Sequence, residues 1–243
     1  KNLKNFVYKK KKIVAIIPAR NGSKSIKNKN IKKLDKAPLI AYSIKYAKKS
    51  KYIDKVFVTT DGPKIAKISK QYKSGVIKRP KSLSNDKAMA DDAVLHAINF
   101  IEKKLNYNFD YVVFLQPTSP LRKMGELDSA IKLAIEKRKD CVFSSNIYHP
   151  WLWLKKGKKL KPFSIKPFKL KRRQETFQVV DTGSYYITKK KAFKYYKNRY
   201  GKNVINFVSD FHASFEIDEL KDLKFISNYV RTNMPKKYKI FIP

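Results

Sequence analysis

A chain of 243 residues with 42% hydrophobic side chains is long enough for one α/β domain with an elaboration around a sizeable core. Its 57 basic against 19 acidic residues give a formal charge of +38, but only eight of the basic residues are arginine. The rest are lysines spread over nearly every expected helix, which reads as a solvated surface that attracts anions rather than a nucleic-acid interface. No apolar run approaches the roughly 20 residues of a membrane-spanning helix, and the single cysteine, Cys141, excludes an internal disulfide and fits a buried position in a cytoplasmic protein.

Lys1–Lys12 followed by Ile13–Ala19 imitates a secretory signal, but the apolar run ends after about seven residues and leads into Arg20 instead of a small-residue cleavage site. Ile13–Ile17 instead has the composition of a strand buried on both faces, stopped by Pro18. Helical spacing over Leu39–Ser50, with Pro38 at the first turn, is followed by a strand at Val56–Thr60 and the turn cluster Asp61-Gly62-Pro63. A helix over Ile65–Tyr72, a short strand near Val76 and Ile77, a helix from Asp91 to Leu105, a strand at Tyr111–Leu115, a helix over Met124–Lys137 and a strand at Cys141–Ser145 complete an alternating series. Such alternation predicts a mostly parallel, twisted sheet with helices on both faces.

The pattern changes at Asn146. From there to Val180 the chain is rich in Pro, Trp, Phe and Lys, and is expected to form a small antiparallel excursion. Trp151, Trp153, Phe163 and Phe168 are many large apolar groups for so small an excursion to bury alone; either they form an interface or they fold back on the parent domain. The resulting division is a core of residues 12–145 and 181–232, an excursion of residues 146–180, and basic tails at 1–11 and 233–243.

The chemistry begins after the first strand, where open α/β sheets hold their ligands. Gly22 lets backbone approach an anion, Ser23 offers a hydroxyl, and Arg20, Lys24 and Lys29 supply charge. The segment, which ends at Asn30, reads as a polyphosphate cradle, a basic surface turn being the plain alternative. Neither G-x-x-x-x-G-K-[ST] nor G-x-G-x-x-G follows the strand, so the common phosphate loops do not apply.

The pattern I-I-P-A-R-x-G-S-K-x-I-x-x-K-N, Ile16–Asn30, resembles the opening of the cytidylyltransferases that activate sialic acid and related nine-carbon sugars, and the octet Leu115–Arg122 (LQPTSPLR) resembles the same family. The resemblance runs from about Lys12 to Tyr229. It implies a Rossmann-like nucleotidyltransferase fold, Mg2+, CTP, an acidic nine-carbon sugar, and a homodimer whose excursion reaches the neighbouring active site. Arg20, Gly22, Ser23, Lys24, Lys29, Asn30, Arg79 and Asp86 then fall to the nucleotide, with Arg20, Lys24 and Lys29 neutralising the triphosphate during the reaction. Asp91 and Asp92 lie in the same segment as Arg79 and Asp86, and Asp91 could equally cap the following helix.

Gln116, Thr118, Ser119 and Arg122 are expected on the sugar side, together with the basic element Arg172, Arg173 and Gln174 and the pair Gly183 and Ser184. The family's strand usually reads N-G-[SA]-x-Y; here Thr182 replaces the asparagine, which points to a different sugar from N-acetylneuraminate. Near the end, Glu216 and Asp218 lie two residues apart along an expected terminal strand, on one face, as suits a magnesium ion bridging phosphates. The family usually places an aspartate where Glu216 stands, and Asp218 is also positioned to cap a helix over Glu219–Tyr229. The expected reaction is transfer of CMP from CTP to the anomeric hydroxyl of a nonulosonic acid of sialic, legionaminic or pseudaminic type. Transfer to Kdo or another acidic sugar is the nearest alternative. A non-catalytic basic protein binding nucleic acid or anionic polysaccharide is the alternative of another class, and needs neither the carboxylates nor the Arg20 loop. His96, His149 and His212 are scattered without metal-ligand spacing.

Overall fold

The computed structural model describes residues 11–164, 166, 169, 172–175, 177–232 and 235. Phe168 and nearly all of both basic tails lie outside them. The chain forms β1 (Ile13–Pro18), a small hairpin of β2 (Lys33–Leu34) and β3 (Ala37–Pro38), α1 (Leu39–Lys49), β4 (Lys55–Thr60), α2 (Pro63–Gln71), β5 (Gly75–Lys78), α3 (Ala90–Lys104), β6 (Tyr111–Leu115) and α4 (Glu126–Lys137). Then come β7 (Cys141–Tyr148), β8 (Trp153–Lys156), β9 (Lys159–Pro162), β10 (Gln178–Lys189), α5 (Lys190–Tyr196), β11 (Val204–Val208) and α6 (Leu220–Thr232).

The main sheet has the order β11-β7-β10-β6-β1-β4-β5. Every neighbouring pair is parallel except those made by β10, which runs antiparallel to both β6 and β7. The expected mostly parallel sheet is therefore what forms, with β1 inside it. Residues Ile13 to Ile17 are wholly buried, each worth about 1.5–3 kcal/mol of apolar burial for the larger side chains. Strand alternation divides them between two cores. Ile13, Ala15 and Ile17 meet Ile40 and Ile44 of α1 and Ile131 of α4. Val14 and Ile16 meet Val94 and Ile98 of α3 and Phe193 of α5. A third core joins α6, through Leu223, Ile226 and Val230, to Leu34 and Ala37 of the small hairpin and to α1.

From β1 the chain moves outward to β4 and β5, then returns to β6 on the other side of β1. Since these strands are parallel, their carboxyl ends at Pro18, Thr60 and Leu115 share one edge, and the direction of travel reverses at β1. That edge is where a doubly wound sheet opens a crevice.

β7 and β10 pair out to Tyr148 and Gln178, so the excursion rises from the outer ends of two core strands. It carries the β8–β9 ribbon, turned at Gly157 with φ 59°. Trp153, Leu154, Leu160 and Phe163 are exposed on it rather than folded against the core.

Two expectations are corrected. Phe215–Asp218 is no strand: a 3-10 turn, Phe211–Ser214, runs into extended backbone held by the bond from Ile217 N–H to Thr118 O, 2.9 Å. Neither aspartate expected as a helix cap serves as one. Asp222 Oδ2, from inside the first turn of α6, accepts from the backbone of Asp218 and Glu219, while Asp92 Oδ2 accepts from Met89 N–H before α3.

Candidate active site

The cradle grows from the end of β1. Ala19 N–H continues the ladder to Thr59 O, Asn21 N–H is held by Asp61 Oδ1, and buried Asn30 donates from Nδ2 to Arg20 O, which closes the loop on itself. Gly22 has open space around it and an ordinary φ, so its contribution is free access to the backbone and not a left-handed turn. Ser23 bonds back to Asn21 O through its N–H.

The three expected cations are already bonded to acceptors of this chain. Arg20 Nη1 donates to Asn85 O at 3.1 Å and to Asp86 Oδ1 at 2.9 Å, and Lys24 Nζ lies 2.8 Å from Asp86 Oδ2. Hydrogen bonds from Lys24, then Arg20, hold the Asp86 carboxyl below the usual carboxylate range. Lys29, nearly buried, donates to Ile217 O at 2.9 Å and to Asp218 Oδ1 at 3.2 Å, and Ser25 Oγ donates to Asp218 O. One end of the chain is thereby tied to the other, and the basic loop is brought beside the carboxylate pair. Arg79 lies behind the cradle, buried, with Nη2 donating to Thr59 O at 2.8 Å and Nε without a partner among the described residues. Burial pulls its guanidinium down to about 10.

On the β6 side the loop Gln116–Arg122 is stitched from beneath. Arg122 is completely buried and gives Nε to Ser184 Oγ, Nη1 to Ser43 Oγ, and Nη2 to both Gln116 O and Ser184 O. Burial lowers it to about 10, only partly offset by Tyr46, Tyr185 and the charge of Glu216. Arg122, Ser184 and Ser119, expected on the sugar side, are all wholly buried and bonded within the chain; Ser119 Oγ donates to Glu216 Oε1 at 3.1 Å. Gln116 and Thr118 remain partly exposed.

Gly183 sits at an irregularity of β10 between Asp181 and Tyr186, with φ 67°. A Cβ there would meet Glu216 Oε1 at 2.3 Å and Gln116 Nε2 at 3.0 Å, so any other residue would push the Glu216 carboxylate aside as well as strain the left-handed backbone. The strand, the 3-10 turn and α6 together border an open cleft of about 880 Å³ lined by Gly183, Glu216, Asp181, Phe211, Phe215 and Phe225 among others. Arg172 and Gln174 lie exposed on the excursion, in and beside a 3-10 turn that Arg173 begins.

The carboxylate pair suits a hard divalent cation. Burial, then the charge of Asp218, raises the Glu216 carboxyl above the usual range, which is the sign of two acids sharing a small volume. Asp218 is exposed. No group of three His, Cys, Asp or Glu side chains suitable for a metal occurs among the described residues. Magnesium usually takes one or two protein carboxylates and completes its shell with water and substrate phosphate, so this donor set fits it.

Several contributors went unread in the sequence. Asp181 accepts from Gly183 N–H, Tyr186 OH and Tyr200 OH, fixing the bend in β10. Asp91 is no cap but a bidentate partner of Arg199, 2.7 Å at its shortest, and Arg199 in turn stacks on Tyr186. His212 links Asp210 to Tyr229, 2.8 and 2.7 Å, and so ties the 3-10 turn to α6 on either side of Glu216 and Asp218. No spacing rule announces these pairings, which join residues up to 108 positions apart.

Residues 14–234 match the family described as Cytidylyltransferase. The chain is 32% identical over 222 residues to the N-acylneuraminate cytidylyltransferase of Escherichia coli O18:K1:H7, an alignment covering 88% of this chain and 51% of that protein. It thus spans about half the length of that relative. Against the pseudaminic acid cytidylyltransferase of Campylobacter jejuni (strain 81-176) it is 29% identical over 227 residues, 91% of this chain and 97% of that one. Among solved structures, a CMP:2-keto-3-deoxy-manno-octonic acid synthetase complexed with CTP superposes with a TM-score of 0.67 at 13% identity, covering 92% of this chain and all of the other. The 4-diphosphocytidyl-2C-methyl-D-erythritol synthase of Anaerococcus prevotii gives 0.65 at 12% identity, covering 93% and 99%. At such identities these structures speak for the fold alone.

Proposed function

The chain belongs to the cytidylyltransferase family, and from that premise we propose that it transfers CMP from CTP to the anomeric hydroxyl of a nonulosonic acid, releasing pyrophosphate. The observation that carries this reading is the meeting of the Arg20 cradle with Glu216 and Asp218 through Lys29, beside a cavity large enough for a sugar.

In this reading the protein supplies position and charge and forms no covalent intermediate. Arg20 and Lys24 exchange Asp86 for the β- and γ-phosphates, and Lys29, fixed by Ile217 O, stays next to the α-phosphate. Gln116 and Gly183 orient the sugar so that its anomeric oxygen forms the new bond to the α-phosphorus as the bond to pyrophosphate breaks. Arg122 holds the Gln116 carbonyl and the Ser184 backbone in register from below. Glu216 and Asp218 would hold Mg2+, which when bound neutralises phosphate charge and eases departure of pyrophosphate. The hydroxyl proton leaves to solvent. The exposed aromatics of the β8–β9 ribbon support a homodimer in which Arg172, Arg173 and Gln174 serve the neighbouring sugar site. No helix among the described residues is long and apolar enough to cross a membrane, and we place the enzyme in the cytoplasm.

Incubation with CTP, Mg2+ and a panel of acidic sugars, followed by pyrophosphate release, tests the proposal. Release should require a nonulosonic acid and Mg2+ together. Release with the eight-carbon acid alone, or with none of the panel, would defeat it.

A further inference from the structure

Residues 197–203, between α5 and β11, form a loop with a shape of its own. Asn198 Oδ1 accepts the N–H groups of Tyr200 and Gly201, both at 2.9 Å, and Asp140 Oδ2, just before β7, accepts those of Lys202 and Asn203 at 3.2 and 3.0 Å. Two neighbouring side chains of this loop hold two different aspartates. Arg199 takes Asp91 at the start of α3: Nη2 donates to Oδ2 at 2.7 Å, Nε donates to Oδ1 at 3.1 Å, and the backbone N–H adds a bond to Oδ1 at 2.9 Å. Tyr200 OH donates to Asp181 Oδ2 at 2.5 Å, and Asp181 Oδ1 accepts from Gly183 N–H at 2.7 Å. Burial, then the bond to Asp181, pushes the Tyr200 hydroxyl up to about 12, so it keeps its proton and donates.

The two aspartates lead to opposite sides of the site. Asp91 follows directly on the segment whose Asn85 and Asp86 accept from Arg20 of the cradle. Asp181 opens the irregularity of β10 where Gly183 packs against Glu216 and Gln116. Between them the Arg199 guanidinium lies 4.4 Å from the ring centre of Phe114 and 4.7 Å from that of Tyr186, whose hydroxyl is another donor to Asp181. The Arg199 and Asp91 side chains are only 14% and 12% exposed. A pair so buried gains little net stability over apolar groups of the same size, because both charges give up water. What it adds is direction, since the planar fork of an arginine accepts a carboxylate in one orientation.

We propose that the loop of residues 197–203 is a two-pronged clamp that sets the spacing between the nucleotide cradle and the bend of β10, with Arg199 and Tyr200 as positioning residues and Asp91 and Asp181 as the points they grip. The inference rests on the cytidylyl-transfer reading and adds to it. Attack on the α-phosphorus needs the two substrates aligned, and a misplacement of about 1 Å by a change far from the chemistry is enough to slow such a step. The clamp touches no reacting atom and carries no proton; it acts through the residues it holds.

The test is a double-mutant cycle on initial rates with CTP, Mg2+ and the acidic sugar that the wild type turns over fastest, run well below each variant's melting point so that every chain counted is folded. Arg199→Lys keeps the charge and loses the fork; Tyr200→Phe keeps the ring and loses the hydroxyl. Each should lower kcat about tenfold while half-saturation for either substrate stays within about twofold. Because one released prong already loosens the alignment, the double variant should fall within about threefold of the worse single, where independent effects would multiply to about 100-fold. If Arg199→Lys does not fold, Asp91→Asn, which keeps the shape of the carboxyl, takes its place in the cycle. Single variants with kcat within about twofold of wild type would leave the loop a part of the fold alone and overturn the clamp while cytidylyl transfer stands. Losses that multiply would separate the prongs, and losses confined to half-saturation would make them ligand contacts; either result overturns it as well. Turnover of no acidic sugar by the folded wild type removes the transfer reading, and the clamp falls with it.

Discussion

The basic cradle and the aromatic cavity meet at Glu216 and Asp218, yet they prepare for their ligands in opposite ways. In the cradle, charge is plentiful and already neutralised: Asp86 lies between Arg20 and Lys24 where an anion would sit. All three groups are a third or more exposed, so these pairs add little stability, and a triphosphate with higher charge can displace the carboxylate. In the cleft, exposed aromatic rings stand beside polar groups such as Glu216 and Lys221. One region is set up for exchange of charged partners and the other presents a mixed aromatic and polar face. Charge would govern recognition in the first, and shape and hydration in the second.

The strongest test of this contrast is Arg20→Ala. A charge-assisted contact to phosphate in a site that sheds water should be worth about 10²–10³ in kcat/KM, roughly 3–4 kcal/mol, read by pyrophosphate release. Turnover within twofold of wild type would leave the loop a basic surface turn. Asp218→Asn comes next: activity should fall about 10–100-fold with a higher Mg2+ requirement. Melting should stay near wild type, because Asp222 supplies the cap of α6. A large loss of melting temperature would mean that Asp218 serves the fold.

Gly183→Ala probes the boundary between the regions. A left-handed φ and the approach of Glu216 Oε1 predict about 1–2 kcal/mol of destabilisation, with activity lost beyond it as Glu216 is pushed aside. An alanine variant with wild-type stability would show that β10 relaxes freely there. Glu216 itself has a sign to check. Its folded carboxyl titrates above the ordinary range, so its contribution to stability is fully present below that range and is lost as pH rises through the raised value. Glu216→Gln should therefore melt higher than wild type near neutral pH, converge with it in acid, and turn over more slowly. A lower melting point at neutral pH would contradict burial as the cause.

The smallest effect expected runs against intuition. Asp86→Asn removes the anion that competes for Arg20 and Lys24, so half-saturation by CTP should fall about two- to fivefold at low salt, the advantage fading as salt rises. A weaker hold on CTP would make Asp86 a direct nucleotide contact.

The two regions also differed in how far the sequence disclosed them. The cradle was legible because its residues follow one strand within a short stretch, and because strand, proline and basic loop are local signals. The helices of the core were placed to within a few residues by their apolar period. Arg122 was noticed as one of few arginines, but its burial beneath Ser184, 62 positions away, follows only from the pairing of β10 with β6. Glu216 and Asp218 were expected along a terminal strand, whereas the backbone there is extended without joining a sheet. The aromatic wall was the least visible part. Phe211 begins a 3-10 turn of four residues, Phe215 follows it, and Phe225 lies a helix turn into α6, a spacing with no period to detect. Asp91 was open to reading as a cap because Asx residues before a helix commonly are; a bidentate arginine from 108 positions on took it instead.

The measurement that bears most directly on this division of labour is an initial-rate matrix of CTP against a nonulosonic acid for wild type, Arg20→Ala and Phe225→Gln. Arg20→Ala should raise half-saturation for CTP and leave that for the sugar nearly unmoved, while Phe225→Gln should do the reverse. Both variants shifting the same substrate, or each shifting both alike, would contradict separate sites for phosphate and sugar joined at Glu216 and Asp218.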